Sequence, residues 1–179
     1  MNNFDSMFDL VAGHEGEFSN ITEDPGNWTG GKVGVGTCRG TKFGISAAAY
    51  PDIDIVNLTL DEAKALYRRD YWDRFDGDRL PGALALLVFD AAINNGTGRA
   101  VSWLQDVASV PQDGVVGPET LAAVDRLATA PNGTTGLCSE FLAQRLTFMA
   151  ALPTWKTFGL GWARRLCKLP FETLPYLER

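Results

Sequence analysis

Histidine is almost missing from this chain, since His14 is the only one among 179 residues. A metal centre built from several histidines is therefore excluded, and a Ser/His or Cys/His nucleophilic system could form only around His14. The residue follows an apolar run, and we interpret it as a helix cap or core residue. We expect neither a metal nor a cofactor.

Cysteine is scarce as well, and its three residues show no paired spacing. An odd number without a repeated motif favours free thiols over a disulfide framework or a zinc knuckle. The three residues are Cys38, Cys138 and Cys167.

Basic charge is also low: the net charge is -6 and the pI is about 4.7. Nucleic acid is therefore not an expected partner, because phosphate binding depends on clustered Lys and Arg. A local basic group near the carboxyl end, formed by Arg164, Arg165 and Lys168, is interpreted as a solvated helix face.

The chain has no hydrophobic run long enough to cross a bilayer. The longest apolar segment, residues 83–93, is short and contains Asp90, which suits a buried helix. Residues 1–10 carry Asp5 and Asp9 and lack the basic and apolar regions of a secretory signal. We expect a protein made in the cytoplasm without a signal peptide.

The composition, which is 45% hydrophobic, supports a single domain over residues 1–179. Residues 16–47 are Gly-rich and predict a small β/loop lobe, with 32–35 as a candidate strand. The pattern becomes helical from residue 58. The expected fold is α+β and mostly α-helical, with a small lobe in residues 1–57 packed on a larger helical lobe in 58–179.

Helix signals are clear in the second part. Thr59 and Glu62 form a capping box, and Pro118 suits the first position of a later helix. Residues 131–136 are predicted to be a flexible loop, and residues 170–179 a packed tail. Helices are expected at about 83–94, from 97, from 118, and at about 137–150 and 155–169.

Two carboxyl groups in different surroundings are the main chemical signal. Glu15 follows the end of a predicted helix, where partial burial would raise its pKa and let it act as a general acid. Asp24 lies in a polar loop and would stay ionised, able to orient water. Glycosidic-bond hydrolysis needs such a pair. Thr41 adds a hydroxyl group.

Four further side chains are candidates for substrate binding. Trp28 and Phe43 could stack on sugar rings or pack in the small lobe. Asp90 and Asn94 are one helical turn apart inside an apolar segment, so they either satisfy loop backbone or line a cleft.

Three motifs of the first 46 residues resemble those of glycoside hydrolase family 108, the phage-endolysin and bacterial N-acetylmuramidases. The family patterns are Glu-Gly-Gly-Tyr, Asp-Pro-Gly-Gly and Thr-x-Tyr-Gly-Ile-Thr. The matching segments here are His14 to Phe18, Asp24 to Gly26 and Thr41 to Ser46. The resemblance continues through Phe89 to Gly96, Asp113 to Pro118 and Phe158 to Arg165. Glu17 replaces the family's second glycine, and the segment between Asp24 and Thr41 is longer than usual.

The resemblance implies a lysozyme-like fold and peptidoglycan as substrate, with cleavage of the β-1,4 bond between N-acetylmuramic acid and N-acetylglucosamine. By motif, Glu15 would be the general acid, and Asp24 and Thr41 would flank an attacking water. The helical lobe corresponds to the family's peptidoglycan-binding half.

A phage endolysin would be made in the host cytoplasm and act on the wall in the periplasm, with holin-dependent access. We expect a monomer. Two alternatives stay open: a lytic transglycosylase, and a noncatalytic peptidoglycan-binding protein of the same fold.

Overall fold

The structure is a computed structural model that describes residues 3–11 and 18–177. It divides into two compact units. The N-terminal unit is Asp5–Arg69, and the helical unit is Asp70–Arg179 together with Met1–Phe4. The boundary falls later than the expected residue 57, because the first helix of the predicted helical lobe belongs to the N-terminal unit. The single-domain organisation stays a prediction.

The N-terminal unit has little regular structure. Its helix α1 spans Asn3–Val11, of which Asp5 onward belongs to this unit. Strands β1 (Thr41–Lys42) and β2 (Ile45–Ser46) pair antiparallel. The two residues between them, Phe43 and Gly44, both have positive φ, which suits the tight turn of a two-residue hairpin.

The strand predicted at residues 32–35 is wrong. The backbone forms a turn there, in which the Val35 N–H donates to the Lys32 carbonyl at 3.0 Å. Gly34 and Gly36 both have a φ of +79°, outside the range of an extended strand. The sheet forms instead at residues 41–46.

Helix α2 (Leu60–Tyr67) completes the N-terminal unit and begins at the predicted capping box. The Thr59 hydroxyl accepts from the Glu62 N–H at 3.3 Å, and the Glu62 carboxylate accepts from the Thr59 N–H at 2.8 Å. The Tyr67 ring packs edge-on against Phe8 of α1, with centroids 5.2 Å apart. This contact shows why α2 groups with the amino-terminal segment.

The helical unit is built around α3 (Gly82–Asn95), whose residues 82–92 are all buried. Helices α4, α6 and α7 contact α3. The unit also contains α5. The four helices after α3 span Thr97–Val107 (α4), Pro118–Ala128 (α5), Gly133–Ala150 (α6) and Trp155–Thr173 (α7). The predicted fold class, α+β and mostly α-helical with a lysozyme-like architecture, is confirmed. Within the described ranges, no helix has the length and apolarity that a membrane span requires.

Two boundaries of the helical unit differ from the prediction. Helix α6 begins at Gly133, so most of the loop expected at 131–136 is helical. A Cβ at this position would lie 2.1 Å from the Leu127 carbonyl oxygen, and only glycine allows so close a turn between α5 and α6. Helix α7 continues through Pro170 to Thr173, into the segment predicted to be a tail.

Candidate active site

The predicted general acid, Glu15, and its neighbour His14 lie outside the described residues. The described part of the candidate site is therefore Asp24, Thr41 and the residues that hold them. All belong to the N-terminal unit.

Asp24 is held at the start of a short 3-10 turn, Pro25–Asn27. Its Oδ1 accepts a hydrogen bond from the Gly26 N–H at 2.8 Å, and the side chain is exposed. A Cβ at residue 26 would lie 3.2 Å from this oxygen, so glycine lets the backbone approach the carboxylate. The Asp-Pro-Gly motif thus fixes an ionisable group at the surface of the unit.

Thr41 is held by pairing of β1 with Ser19. Two backbone hydrogen bonds of 2.9 and 2.8 Å join these residues. The Thr41 hydroxyl donates to the Asn27 side-chain oxygen at 2.7 Å. Because its proton is used in this bond, the hydroxyl oxygen offers lone pairs, with which it can accept a hydrogen bond from water.

Asn27 connects the two predicted residues and is completely buried. Its backbone N–H donates to the Asp24 carbonyl at 3.1 Å, and its side-chain oxygen accepts from Thr41. Its side-chain N–H₂ donates to the Ile21 carbonyl at 3.0 Å, which fixes the orientation of the amide. Asn27 therefore links the two residues, through its backbone to Asp24 and through its side chain to Thr41.

Sequence reasoning missed Asn27. An Asn directly after Asp-Pro-Gly is typical of an exposed turn, so the sequence gives no indication that Asn27 is buried. The backbone carbonyl of Asn27 also accepts from Arg39 and Gly40, at 2.8 and 3.1 Å. The long segment before Thr41 thus returns to the 3-10 turn through this residue.

The candidate sugar-binding aromatics are half-buried. The Trp28 indole N–H donates to the Thr22 carbonyl at 2.9 Å, so this ring helps to hold the loop around Asp24. Phe43 lies in the hairpin turn, with the Lys42 ammonium 5.4 Å from its ring centroid. Their roles in sugar binding stay predictions.

Asp90 and Asn94 lie in the helical unit. The Asp90 carboxylate is buried and pairs with Arg145, Oδ2 to Nη1 at 2.6 Å, and with Arg165, Oδ1 to Nε at 2.7 Å. Asn94 is exposed, and its side-chain N–H₂ donates to the Asp90 carbonyl at 2.8 Å. The interpretation of the basic group as a solvated face is wrong for Arg165, which binds a buried carboxylate.

Comparisons with known proteins cover almost the whole chain. The family model described as "Glycosyl hydrolase 108" matches residues 8–96, and the model described as "Predicted Peptidoglycan domain" matches residues 99–167. A solved structure titled "Structure of Brucella abortus SagA" is 32% identical, with a TM-score of 0.77, over 98% of this chain and 96% of that chain. The chain belongs to glycosyl hydrolase family 108. No curated protein matches it.

Membership of family 108 makes the chain a glycoside hydrolase with a muramidase-like role in peptidoglycan degradation. The first matched segment contains Glu15, Asp24 and Thr41, and it ends just after α3. The second contains most of α4, all of α5 and α6, and much of α7. Among the residues that the structure describes, no group of His, Cys, Asp or Glu is arranged to hold a metal ion.

Proposed function

We propose that this family 108 member is an N-acetylmuramidase that hydrolyses the β-1,4 bond between N-acetylmuramic acid and N-acetylglucosamine. The observation that carries the proposal is that the buried Asn27 binds both the backbone carbonyl of Asp24 and the hydroxyl group of Thr41. Asn27 thereby links the turn that carries the exposed Asp24 carboxylate to the strand that carries the Thr41 hydroxyl, and both of these groups can accept hydrogen bonds from a water molecule.

The proposed reaction uses one acid and one base. Glu15 donates its proton to the glycosidic oxygen, which leaves as the 4-hydroxyl of N-acetylglucosamine. Asp24 takes a proton from water, whose oxygen forms the new bond to the anomeric carbon of N-acetylmuramic acid. The remaining O–H of that water donates a hydrogen bond to the Thr41 hydroxyl and becomes the new anomeric hydroxyl. Since the water attacks opposite the leaving group, the product has the inverted anomeric configuration.

The biological setting that we propose is lysis of a phage host. The enzyme would be made in the host cytoplasm, reach the periplasm with the help of a holin, and cleave the wall there as a monomer. The feature that supports this setting is the resemblance of the sequence motifs to those of phage endolysins.

The decisive variant is Glu15→Gln, which keeps the size of the side chain but cannot donate the proton. We expect lysis of permeabilised cells, measured by turbidity, to fall by roughly 10²–10⁴-fold while the protein stays folded. Glu23→Gln, which changes an exposed carboxylate next to Asp24, is the matched control and should keep full activity. A folded Glu15→Gln protein with normal activity would remove the proposed acid.

Analysis of the products from purified walls tests the reaction type. A hydrolase adds one water to each cleaved bond, whereas a lytic transglycosylase forms an anhydro-sugar, so mass spectrometry separates the two. Proton NMR of the early product should show the inverted anomer. A retained anomer would make Asp24 a nucleophile, which is the role of a carboxyl about 5 Å from the acid.

A further inference from the structure

The helical unit contains a cavity of about 440 Å³ between α4 and α6. Its volume lies within the range of about 300–1,000 Å³ that is usual for small-ligand sites. The described lining comes from α4, from α6 and from Gln112, which belongs to the segment between α4 and α5. The cavity shares no residue with the site around Asp24, which belongs to the N-terminal unit.

The spacing of the lining residues explains how two helices build one cavity. On α6, Glu140, Gln144 and Phe148 follow one another at intervals of four residues, so they lie on one face of the helix. On α4, Ser102 and Asp106 are likewise four residues apart. The polar part of the lining therefore comes mainly from two helix faces and not from a single loop.

Hydrogen bonds within the lining hold its polar groups before a ligand arrives. The two oxygens of the Asp106 carboxylate accept from the side-chain amides of Gln112 and Gln144, at 2.7 and 2.6 Å. The Ser102 hydroxyl donates to the Gln112 side-chain oxygen at 2.6 Å. Side chains held in this way lose less conformational entropy on binding than free side chains do.

The same groups keep donors and acceptors for a ligand. Each of the two amides uses one N–H in its bond to Asp106 and has a second N–H, and each Asp106 oxygen has a further lone pair. Glu140 adds a second, exposed carboxylate. A sugar hydroxyl both donates and accepts hydrogen bonds, so it suits a surface on which N–H donors lie next to carboxylate acceptors.

Two aromatic rings form the apolar part of the lining. The centroids of the Trp103 and Phe148 rings are 5.5 Å apart, and Trp103 also packs edge-on against the buried Phe141 at 6.1 Å. Trp103 and Phe148 are half-buried at the cavity. A fixed ring that is partly open suits the C–H face of a sugar, and the small Ala143 beside it leaves room for the methyl of an N-acetyl group.

The charge of the lining selects among the components of a bacterial wall. Asp106 and Glu140 are acidic, and the described lining has no basic side chain. The cavity therefore disfavours the carboxylates of the stem peptides. N-acetylglucosamine is neutral and combines hydroxyl groups with a methyl amide.

We propose that this cavity binds N-acetylglucosamine residues of the peptidoglycan glycan strand. The Asp106 network holds the sugar hydroxyl groups, and Trp103 and Phe148 contact the sugar ring and the acetyl methyl. The proposal rests on the assignment of peptidoglycan as substrate and adds a glycan contact outside the site around Asp24. All described lining residues lie within 99–167, the segment that matches the peptidoglycan domain.

The test uses the full chain and chitotriose, a neutral β-1,4-linked trimer of N-acetylglucosamine. Proton–nitrogen NMR follows the side-chain amides of Gln112 and Gln144 and the indole N–H of Trp103, which report on this cavity. We expect their signals to shift with one dissociation constant that is insensitive to salt, since the ligand is uncharged. Cellotriose, which lacks the acetamido groups, should bind at least about tenfold more weakly, because their methyl and amide contacts are lost.

Asp106→Asn is the matching protein variant. Its N–H₂ would face the N–H₂ of Gln112 or of Gln144, so the network loses a hydrogen bond and the sugar loses an acceptor. Chitotriose binding should weaken by about tenfold. Gln112→Ala, which lies outside the helices, should also weaken binding and keeps the test open if Asp106→Asn does not fold. Asp125→Asn, at an exposed position on α5 outside the cavity, should bind as the parent does.

Three results would overturn the proposal: no shift of these side-chain signals at millimolar chitotriose, equal binding of chitotriose and cellotriose, and parental binding by folded Gln112→Ala and Asp106→Asn proteins. The test is independent of hydrolysis. If walls are cleaved but the signals do not shift, only the cavity assignment fails. If chitotriose binds as expected but walls are not cleaved, the muramidase proposal fails and the cavity assignment holds.

Discussion

At the scale of single residues, Asn27 is the side chain on which the described part of the site depends. Asn27→Ala removes the partners of the Ile21 carbonyl and the Thr41 hydroxyl. We expect the free energy of unfolding to fall by about 1–3 kcal/mol, the usual cost of leaving buried polar groups unpaired. Hydrolysis should fall further than stability explains, because Thr41 loses its orientation.

Denaturant unfolding and wall turbidity measure the two effects of Asn27→Ala. Asn57→Ala is the matched control, since this exposed amide bonds only with Asp54 among the described residues. An Asn27→Ala protein with the parent's unfolding midpoint would show that the buried amide is dispensable.

The cysteines offer a second test at this scale. Burial raises the pKa of the Cys138 thiol to about 12, so almost none of it is thiolate at pH 8. Cys167 is exposed. We expect a thiol reagent to label Cys167 of the folded protein rapidly and Cys138 only on unfolding, as peptide mass mapping would show. Fast labelling of Cys138 in folded protein would contradict its burial.

Motifs predicted some site residues but could not predict what holds them. Asp24 and Thr41 carry side chains whose chemistry is recognisable from the sequence, and the structure places both against one residue. Asn27 has no such signal, because its importance comes from burial and from contacts with residues up to 14 positions away. Burial of this kind is a property of the folded chain.

At the scale of elements, the capping box of α2 makes stability depend on pH. The backbone N–H of Thr59, and then its hydroxyl, lower the pKa of Glu62 below its ordinary value of about 4.5. A group whose pKa is lowered by folding stabilises the folded protein at pH values above its ordinary pKa. The contribution is lost as the pH falls through the folded pKa.

Comparison of the parent with Glu62→Gln isolates this contribution. The variant keeps a hydrogen-bond acceptor at the third helical position but does not titrate. We expect the parent to have the higher thermal midpoint at neutral pH, and the two midpoints to converge as the pH falls through the lowered pKa of Glu62. Asp61→Asn, on the same helical turn, is the control. A difference that is constant with pH would refute the argument.

Local sequence signals predicted the presence of the helices better than they predicted the residues at which the helices begin and end. The capping box at Thr59 and the proline at residue 118 mark helix starts that the structure confirms. Both signals act within one turn of helix, so no distant contact is needed to read them. The predictions for residues 32–35 and for the start of α6 at Gly133 failed for a different reason. The glycines there allow positive φ angles or close backbone contacts, and these depend on how the folded chain packs.

At the scale of the whole molecule, the buried carboxylate of Asp90 joins three helices. Its partners, Arg145 on α6 and Arg165 on α7, are 55 and 75 residues away in the sequence. The sequence predicted that a buried polar residue in α3 would have partners. It could not identify them, because pairing over such distances follows from how α6 and α7 pack on α3.

Asp90→Asn should destabilise the helical unit strongly. Arg145 is as buried as Asp90, with 1% of each side chain exposed, and burial already lowers the Arg145 pKa. Removing the carboxylate leaves that buried cation uncompensated, which costs about 3–5 kcal/mol in comparable pairs. Denaturant unfolding followed by circular dichroism measures the loss. Asp125→Asn, at an exposed position on α5, should be neutral.

A double variant shows whether the uncompensated charge is the cause. In Asp90→Leu with Arg145→Met, both buried charges are removed, and the half-exposed Arg165 can turn to water. We expect this protein to be more stable than Asp90→Asn, since replacing a buried pair by apolar side chains is often neutral. A double variant less stable than Asp90→Asn would mean that α3, α6 and α7 need the hydrogen-bonded geometry itself.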